Sequence, residues 1–595
     1  MNDFKETTRS LKDRVVLIRI LKYLRPYLGK FFFAVGLMAI GVGIALVPPF
    51  LIGNMIDTLT SGENTTSYKI WYVIILSSIY LVLLIIANIL SYIQSITLQI
   101  IGQKVVFKLR EEVFVHIENL SIGQFNSVPV GKLMTRVCND TNALGELFTS
   151  VFANLIRAII YFFAIVVVLL LINVQMALMV FILVPIAFVG TFVYRYFTQR
   201  TYRKIRNNIS ELNAYLAENL SGVKVTQIFA KEDKVAKGFD VKNRQARRNW
   251  LQLLTNFAIY RPFISLVSAA GTLITFYFGA QQALAGVITS GLIVSFFFYL
   301  GDFFRPIEEI SDLYNAIQDG FTSAEKIFDV LDTKPAIIDP DDAVELTTFT
   351  GHIEFKNVWF SYHENEWILK DVSFVVKPNE TVAFVGATGS GKTTILALIV
   401  RNYEIQKGQI LLDGIDINTI KRSSIRKHIG QMLQDVFLFN ATIYENISLF
   451  DESIPKTTVL EAIKYVGADK FIEKLPGNIN HMVLERGNNF SVGQRQLISF
   501  ARAITYKPSL MILDEATANI DSETEGIIQE SLQKMMNINT MLIVAHRLST
   551  IQHANKIIVM HKGEVKETGN HQELLKRRGL YYTLYELQID RRLLK

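Results

Sequence analysis

The sequence predicts an α-helical membrane domain with six transmembrane helices and long cytoplasmic extensions, followed by an α/β domain. Long uncharged apolar runs occur only in the first half of the 595-residue chain. Half of all residues are hydrophobic and only 19% are charged, as expected when part of a chain lies in lipid. After about residue 325, strand-like and helix-like runs alternate, which is typical of an α/β domain.

The apolar runs determine the predicted spans. Residues 31–53 are long enough for one crossing, whereas the uncharged run 70–103 exceeds one hydrocarbon core, so this helix should project beyond the membrane. The runs 158–194 and 262–301 are each too long for one span, and a break in each, at Asn173 in the first, predicts a helical hairpin. The predicted spans are about 31–53, 71–95, 148–172, 176–196, 258–279 and 287–306.

Basic residues predict the orientation of the spans. The first 30 residues hold eight Lys or Arg and the segment 197–255 holds twelve, whereas the connection 54–69 holds only Lys69. Because Lys and Arg favour the cytoplasmic side, both termini and the α/β domain should be cytoplasmic, with the spans in the cell (inner) membrane. The positive-inside rule also accounts for the net charge of +7, which therefore does not indicate a nucleic-acid partner.

The predicted domains follow from these patterns. Residues 1–30 form a cytoplasmic N-terminal segment with an interfacial helix, because apolar and basic residues mix there. Residues 31–325 form the transmembrane domain, residues 326–350 a linker rich in Pro and Asp, and residues 351–595 the α/β domain. The charged N-terminal segment is not expected to be a cleaved signal peptide, and the single cysteine excludes an internal disulfide framework.

Charged residues near the last two predicted spans leave two interpretations open. Arg261, Asp302 and Arg305 could face a cavity, because ionisable groups within spans are costly unless they have a use. They could equally lie at the cytoplasmic ends of the helices, in water.

A phosphate-binding loop is the strongest motif in the chain. A predicted strand, Val382–Val385, leads into Gly386-Ala-Thr-Gly-Ser-Gly391-Lys392-Thr393 and then into an apolar helix. This is the G-x-x-x-x-G-K-[ST] pattern in its strand–loop–helix context, and it predicts a P-loop NTPase domain. The loop N–H groups and the helix N-terminus would bind phosphates, Lys392 would reach the β- and γ-phosphates, and Thr393 would hold Mg²⁺.

Two further predicted strands end in residues suited to phosphate chemistry. The segment 509–517 carries Asp514, which could orient Mg²⁺ through water, and Glu515, which could polarise an attacking water. The segment 540–546 places His546 at a similar strand end, where it could sense the γ-phosphate.

Together these features resemble the ATP-binding cassette (ABC) exporters of the half-transporter type, over essentially the whole chain. The resemblance implies an ABC helical subdomain within the α/β domain, and ATP and Mg²⁺ as cofactors. Residues 123–140 and 218–232 are similar to the regions that carry coupling helices. Tyr362 matches the aromatic that stacks on adenine, and Gly386, Ala387, Thr388, Gly389, Ser390, Gly391, Lys392, Thr393 and Thr394 match Walker A. Gln434 matches the Q-loop that touches Mg²⁺, Asp514 and Glu515 match Walker B and its catalytic carboxylate, Asp521 the D-loop and His546 the switch histidine.

The family's signature motif, LSGGQ, is altered in this chain. Ser491, Gly493 and Gln494 are kept, whereas Phe490 replaces Leu and Val492 replaces Gly. In this family the signature contacts the ATP held by the partner's P-loop, and a valine there should hinder close approach of the backbone to phosphate and stiffen the turn. The alternative is harmless family variation.

The combination of a complete P-loop with an altered signature resembles the intact-Walker-B subunit of bacterial heterodimeric multidrug-resistance-like exporters. This implies an ATP hydrolase coupled to export of amphipathic compounds, drug-like molecules or lipids, by alternating access. The expected partners are a second half-transporter, membrane lipids and the substrate, with no nucleic acid. The alternatives are a homodimeric lipid flippase and, in another class, a soluble-type ABC ATPase acting on DNA or ribosomes.

Overall fold

The computed structural model describes residues 13–61, 65–363, 366–433, 435–514, 522–536, 539–544 and 551–593. Internal contacts divide the chain into two compact units. The helical unit contains residues 13–118 and 129–333, and the α/β unit contains residues 334–593 together with the short segment 119–128. This short segment therefore groups with the α/β unit, although it lies between two predicted spans in the sequence.

Helices account for nearly all of the chain up to Asp332. Short 3-10 or π-helical segments, Arg25–Tyr27, Arg136–Asp140 and Leu147–Val151, join some of them. In chain order the helices are α1 (Asp13–Leu24), α2 (Leu28–Ala45), α3 (Val47–Thr60), α4 (Thr66–Asn119), α5 (Ile122–Asn126), α6 (Val130–Thr135), α7 (Thr141–Glu146), α8 (Phe152–Ile172), α9 (Val174–Phe181), α10 (Leu183–Ser221), α11 (Val223–Ile228), α12 (Glu232–Leu284), α13 (Ser290–Phe303) and α14 (Arg305–Asp332).

Five helical segments in the described part of the chain are long and apolar enough to cross a membrane. They are Arg14–Thr60, Thr66–Asn119, Val130–Ile172, Val174–Ser221 and Glu232–Leu284. The 54 residues of α4 extend over about 80 Å at the usual helical rise, so this helix is much longer than one hydrocarbon core, as the sequence predicts.

The sixth predicted span is not confirmed as a single long helix. Its region, 287–306, contains α13, which has 14 residues, and the beginning of α14. The two helices meet at Phe304, which lies outside both although its backbone angles are helical (φ −82°, ψ −20°). Because about 20 residues are needed for a crossing, α13 by itself is shorter than a span.

Close contacts at one end of the helical unit fix α13 against α3. A side chain on Gly291 would place its Cβ 2.0 Å from the carbonyl oxygen of Gly53, so the two backbones meet without side chains between them. The Asp57 carboxylate accepts hydrogen bonds from Gly291 N at 2.7 Å and from Thr289 Oγ1 at 2.6 Å. Ser295 Oγ donates to the carbonyl of Pro49 at 2.9 Å.

The α/β unit contains two sheets. The larger has the strand order β10-β9-β3-β8-β7-β6, in which only β10 pairs antiparallel, and the smaller is antiparallel with the order β2-β1-β4-β5. Strands β3, β7 and β8 are buried throughout, which agrees with their nearly continuous apolar sequences. The strands are β1 (Ile353–Ser361), β2 (Trp367–Val376), β3 (Thr381–Val385), β4 (Lys407–Leu412), β5 (Ile415–Asp416), β6 (Ile429–Met432), β7 (Leu510–Asp514), β8 (Thr540–Val544), β9 (Lys556–His561) and β10 (Glu564–Gly569).

Helices of the α/β unit connect these strands and form a mainly helical region between β6 and β7. A common apolar core joins that region to one face of the larger sheet. The helices are α15 (Lys392–Ile399), α16 (Arg422–Lys427), α17 (Ile443–Ser448), α18 (Lys456–Tyr465), α19 (Asp469–Ile472), α20 (Val492–Thr505), α21 (Ser522–Met536), α22 (His571–Arg577) and α23 (Leu580–Leu593).

The irregular segment before β1 begins at Thr333, because α14 continues through the first part of the predicted linker. From Lys334 onward this segment belongs to the α/β unit, and an ion pair joins it to the rest of that unit. Arg401, only 2% exposed, donates to Asp339 Oδ1 at 3.0 Å, and Arg422 Nε lies 3.3 Å from the same oxygen. A buried guanidinium needs such partners because its charge cannot be left unpaired, so Asp339 fixes this segment in place.

Candidate nucleotide-binding site

The candidate site lies at the carboxyl ends of three neighbouring parallel strands. In the sheet register, Phe384 of β3 lies opposite Val544 of β8, and Val544 lies opposite Asp514 of β7. The loop that follows β3 and the acidic residue that ends β7 therefore flank β8 at one edge of the sheet. This edge is where open α/β sheets bind ligands.

Glycines are structurally required at both ends of the loop between β3 and α15. Gly391 has φ +100°, and a Cβ there would lie 2.6 Å from Leu369 Cδ2. A Cβ on Gly386 would lie 2.2 Å from the carbonyl oxygen of Met560. No other residue type fits either place without displacing its neighbours, so the loop approaches the sheet as closely as the sequence motif predicts.

Lys392 is the first residue of α15 and is only 5% exposed. Its Nζ donates to the carbonyl oxygens of Gly386 at 2.9 Å and Ala387 at 3.0 Å. The ammonium group is thus held over the loop, at the N-terminal end of a helix, where anions bind favourably. This arrangement can supply a positive charge to phosphate oxygens.

Thr393 and Asp514 come together although 121 positions separate them in the sequence. Thr393 Oγ1 donates to Asp514 Oδ1 at 3.3 Å, and Asp514 is 8% exposed. A hydroxyl beside a carboxylate fits Mg²⁺, which prefers oxygen ligands and keeps waters and substrate phosphates in its coordination shell. Within the described ranges no group of three or more His, Cys, Asp or Glu could hold a metal ion.

A cleft of about 520 Å³ joins these groups to Tyr362. Tyr362 OH lies 3.1 Å from Thr394 Oγ1, and its ring packs edge-on against Phe360 and Tyr403. Burial raises the pKa of the Tyr362 hydroxyl, so it remains neutral at physiological pH. The described lining residues are Tyr362, Ile368, Thr388, Gly389, Gly391, Lys392, Thr393, Thr394, Asp514 and Val544.

Two lining residues, Ile368 and Val544, are absent from the site that the sequence predicts. Val544 ends β8, so its place follows from the strand order, whereas no motif marks Ile368 in β2. Conversely Gly386, Ala387 and Ser390 belong to the predicted loop but do not line the cleft. Four other predicted site residues, Gln434, Glu515, Asp521 and His546, lie outside the described residues.

Comparisons with known proteins agree with this division into membrane and nucleotide-binding parts. Residues 31–307 match the ABC transporter transmembrane region, and residues 369–518 match the ABC transporter domain. The uncharacterised ABC transporter ATP-binding protein YknV of Bacillus subtilis (strain 168) is 37% identical over 96% of this chain and 94% of its own length. This chain belongs to the ABC transporter family.

Other relatives of this ABC transporter extend the comparison to exporters. The ATP-dependent lipid A-core flippase of Syntrophus aciditrophicus (strain SB) is 32% identical over 96% of this chain and 94% of its own length. The solved structure of a bacterial Atm1-family ABC exporter with ATP bound superposes with a TM-score of 0.78 at 26% identity, over 95% of this chain and 98% of that one. The ABC transporter described here is thus an exporter with its membrane region and its ATPase cassette in one chain.

The altered signature of this ABC transporter begins helix α20. Ser491 is its N-cap: Ser491 Oγ accepts from Gln494 N at 3.2 Å, and Ser491 N donates to Gln494 Oε1 at 3.0 Å. Val492 is the first helical residue, with its side chain 39% exposed, and Gly493 follows it. None of these residues is among the described lining of the chain's own cleft.

Phe490, the other departure from the motif, has a side chain that packs in an apolar core. It is 5% exposed, belongs to the core of the helical region and packs against Phe471 at 6.3 Å between ring centroids. Since Val492 lies in a helix, the prediction that it stiffens a turn is wrong. Of the two residues, only Val492 is exposed at the surface.

We expect Tyr362→Ala to weaken ATP binding, and by less than Lys392→Ala does. Stacking of a base on an aromatic ring contributes roughly 1–3 kcal/mol. Equilibrium ATP binding would be compared for the wild type, Tyr362→Ala and the control Tyr362→Phe, which keeps the ring and loses only the hydroxyl contact with Thr394. A larger effect than that of Lys392→Ala would mean that Tyr362 maintains the fold through Phe360 and Tyr403 rather than holding nucleotide.

Proposed function

We propose that this chain is one half of a heterodimeric exporter that moves amphipathic compounds, drug-like molecules or lipids, out across the cell (inner) membrane. The observation that carries the proposal is the 3.3 Å contact between Thr393 and Asp514 beside the loop-bound Lys392, in a chain with long membrane-crossing helices. This contact between distant parts of the sequence supports a site for ATP and Mg²⁺. Energy from that site would drive alternating access, in which nucleotide binds the two conformations with different affinity.

The substrate class rests on the relatives. Besides the lipid A-core flippase, they include a probable multidrug resistance ABC transporter protein, YheH, of Bacillus subtilis (strain 168) and a fatty acid ABC transporter protein of Mycobacterium bovis (strain ATCC BAA-935 / AF2122/97). The two substrates that these names give, lipid A-core and fatty acids, each have an apolar part and a polar part. A homodimeric lipid flippase is the second candidate, supported by the flippase relatives, whereas action on DNA or ribosomes is disfavoured by the membrane region.

In the proposed membrane topology six spans place both termini and the cassette in the cytoplasm. The sixth span would be α13 continued into α14 across Phe304, whose helical backbone angles allow the two helices to run on with little change of direction. The distribution of Lys and Arg supports this orientation.

The segment 119–128 supports a proposed coupling role for the polar stretch 123–140. Its helix α5 begins with a capping box between Ser121 and Gln124. Gln124 Nε2 donates to the carbonyl of Lys334 at 2.9 Å, and Gln124 Oε1 accepts from Ala336 N at 2.9 Å. We infer that this short helix moves together with the cassette, and that α11, within the second similar stretch 218–232, has the corresponding role toward the partner.

The catalytic roles proposed for this site follow the family pattern. Glu515, which directly follows Asp514 in the sequence, would activate water, and His546 would contact the γ-phosphate. Gln434 would join Thr393 and Asp514 around Mg²⁺, and Asp521 would lie at the boundary between two cassettes.

The asymmetry of the proposed heterodimer rests on Val492. The Ser491 hydroxyl accepts its capping bond and can still donate its own proton to a phosphate oxygen. The neighbouring Val492 side chain, however, occupies space that glycine would leave open to the partner's nucleotide. The site closed by this chain's signature would then mainly hold ATP, and the site with Glu515, closed by the partner's signature, would turn it over.

Co-purification tests the proposed function. The tagged chain would be isolated from its native membrane, and native mass measurement would give the subunit composition. A dimer of two different half-transporters that moves a fluorescent amphipath in proteoliposomes only with ATP and Mg²⁺ is expected. A homodimer by mass would favour the flippase alternative, and ATP turnover without transport of any amphipath would contradict the proposed substrate class.

Ser491→Ala is expected to lower ATP turnover less than Glu515→Gln does. In a heterodimer the two residues would serve different ATP molecules, whereas in a homodimer they would contribute to equivalent sites and both changes would be severe. ATPase activity of the purified native assembly measures the difference.

A control is needed because Ser491→Ala also removes a helix cap, at a cost of about 0.5–2 kcal/mol. Ser491→Asn keeps a capping oxygen and removes the hydroxyl. A loss of ATP turnover that is caused only by the missing helix cap should therefore not occur in this variant. Equal loss of turnover in Ser491→Asn and Glu515→Gln would contradict the asymmetric assignment.

A further inference from the structure

The helical unit contains an apolar cavity of about 470 Å³ between α2, α3, α4 and α13. Three aromatic residues, Tyr80, Phe297 and Phe298, line it together with aliphatic side chains, prolines and glycine. Among the described lining residues, Asp302 is the only one that carries a charge. An apolar cavity with one polar group is the usual construction of a small-molecule site.

Asp302 lies within the sixth predicted span, 287–306. Tyr299 OH donates to the carbonyl of Leu46, which is inside the first predicted span, and Asp302 follows Tyr299 by less than one helical turn. From Ser290, the first residue of α13, Asp302 is about 18 Å along the helix, whereas a hydrocarbon core is about 30 Å thick. A carboxylate within a span is costly and usually has a function.

One hydrogen bond holds the Asp302 carboxylate on the cavity wall. Tyr161 OH, from α8, donates to Asp302 Oδ2 at 3.0 Å. Within the described part of the chain, the other carboxylate oxygen makes no hydrogen bond to protein, so it can receive a donor from a ligand. Arg305, the next charged residue along the chain, pairs with Glu309 at 3.1 Å and does not line the cavity.

We propose that this cavity binds the cationic group of an amphipathic substrate, with Asp302 as its counter-ion. The aromatic rings of Tyr80, Phe297 and Phe298 would stabilise the cation through their faces, and the aliphatic wall would hold the apolar part of the molecule. The inference rests on the proposed export function and narrows its substrate class. Fatty acids and other anionic amphipaths would be disfavoured at this site by the negative charge of Asp302.

A structural role for Asp302 makes a different prediction. If the carboxylate served only to join α13 to α8, Tyr161→Phe, which removes the hydrogen bond, would lower cation affinity at least as much as Asp302→Asn, which keeps an oxygen that can accept it. If Asp302 is the counter-ion, Tyr161→Phe keeps the charge and should retain most of the preference for cations.

Two ions of the same shape and opposite charge provide the test. Equilibrium binding of tetraphenylphosphonium and tetraphenylborate would be measured on the nucleotide-free native assembly in lipid nanodiscs. The wild type should bind the cation more tightly, and Asp302→Asn should lower its affinity about tenfold or more without lowering that of the anion. Asp302→Glu should restore cation binding, and Asp319→Asn, at an exposed position on α14, is the matched control that should leave it unchanged.

Equal binding of the two ions to the wild type, or unchanged cation affinity in Asp302→Asn, would overturn the proposal. A loss of cation affinity in Tyr161→Phe as large as that in Asp302→Asn, or larger, would also overturn it. Binding of the ions needs no ATP turnover, whereas ATP-dependent transport by the wild type tests the export function separately. Melting temperatures show whether Asp302→Asn folds. If it does not fold, two other results decide whether Asp302 is the counter-ion. These are the cation-over-anion preference of the wild type and the cation affinity of Asp302→Glu compared with that of Tyr161→Phe.

Discussion

Glu515→Gln is expected to lower ATP turnover by about a hundredfold to ten thousandfold, the usual contribution of a general base. Glu515 directly follows Asp514, which ends a buried strand and contacts Thr393. The amide cannot accept the proton of an attacking water. ATP affinity should remain, because Lys392 and the loop would still hold the phosphates.

Turnover and nucleotide affinity would be measured on the same purified assembly with its partner. Glu473→Gln, at an exposed position of the cassette, is the matched control for the change of charge and should keep the wild-type rate. Hydrolysis at the wild-type rate by Glu515→Gln would show that another group activates water.

Lys392→Ala is expected to weaken ATP binding about tenfold to a hundredfold, since hydrogen bonds to charged groups contribute roughly 1.5–3 kcal/mol. Unlike Glu515→Gln, this change should affect binding itself, and turnover should fall with it. The ammonium group also donates hydrogen bonds to the carbonyls of Gly386 and Ala387. The variant therefore loses these two bonds within the loop as well as the positive charge.

Equilibrium binding of ATP to the nucleotide-free assembly measures this effect. Lys474→Ala removes an exposed lysine from the same cassette and should leave the affinity unchanged. An unchanged ATP affinity in Lys392→Ala would reject its assignment to the phosphates, provided that the melting temperature shows a folded variant.

The conformation of the loop between β3 and α15 could be predicted from the sequence because its geometry depends on local residues. The positive φ of Gly391 and the close contact at Gly386 require glycine at both positions, so the sequence motif determines the conformation of the loop. Asp514 could be assigned for a similar reason, since an acid after a fully buried strand must emerge at the strand end. The position of α9 after Asn173 was also predictable, because that side chain caps the helix by accepting from Met176 N.

Other features could not be predicted from local patterns. Ile368 lines the cleft because β2 passes close to Gly391, which is a result of tertiary packing. The break at Phe304 is directly followed by Arg305 and Pro306, a local signal for a new helix that the predicted span 287–306 does not take into account. The interpretation of Asp302 was open because only the packing of α13 against α3 shows that it lines a cavity.

The place of Val492 at the start of α20 has a consequence for the evolution of this family. A first helical position with an exposed side chain accepts almost any residue, because its backbone angles are ordinary and it fills no core space. Selection for a folded protein therefore does not preserve glycine there, whereas the proposed contact with a nucleotide held by the other subunit would. After gene duplication, one copy could acquire a valine at this position, keep its stability, and so begin the functional divergence of two formerly equivalent ATP sites.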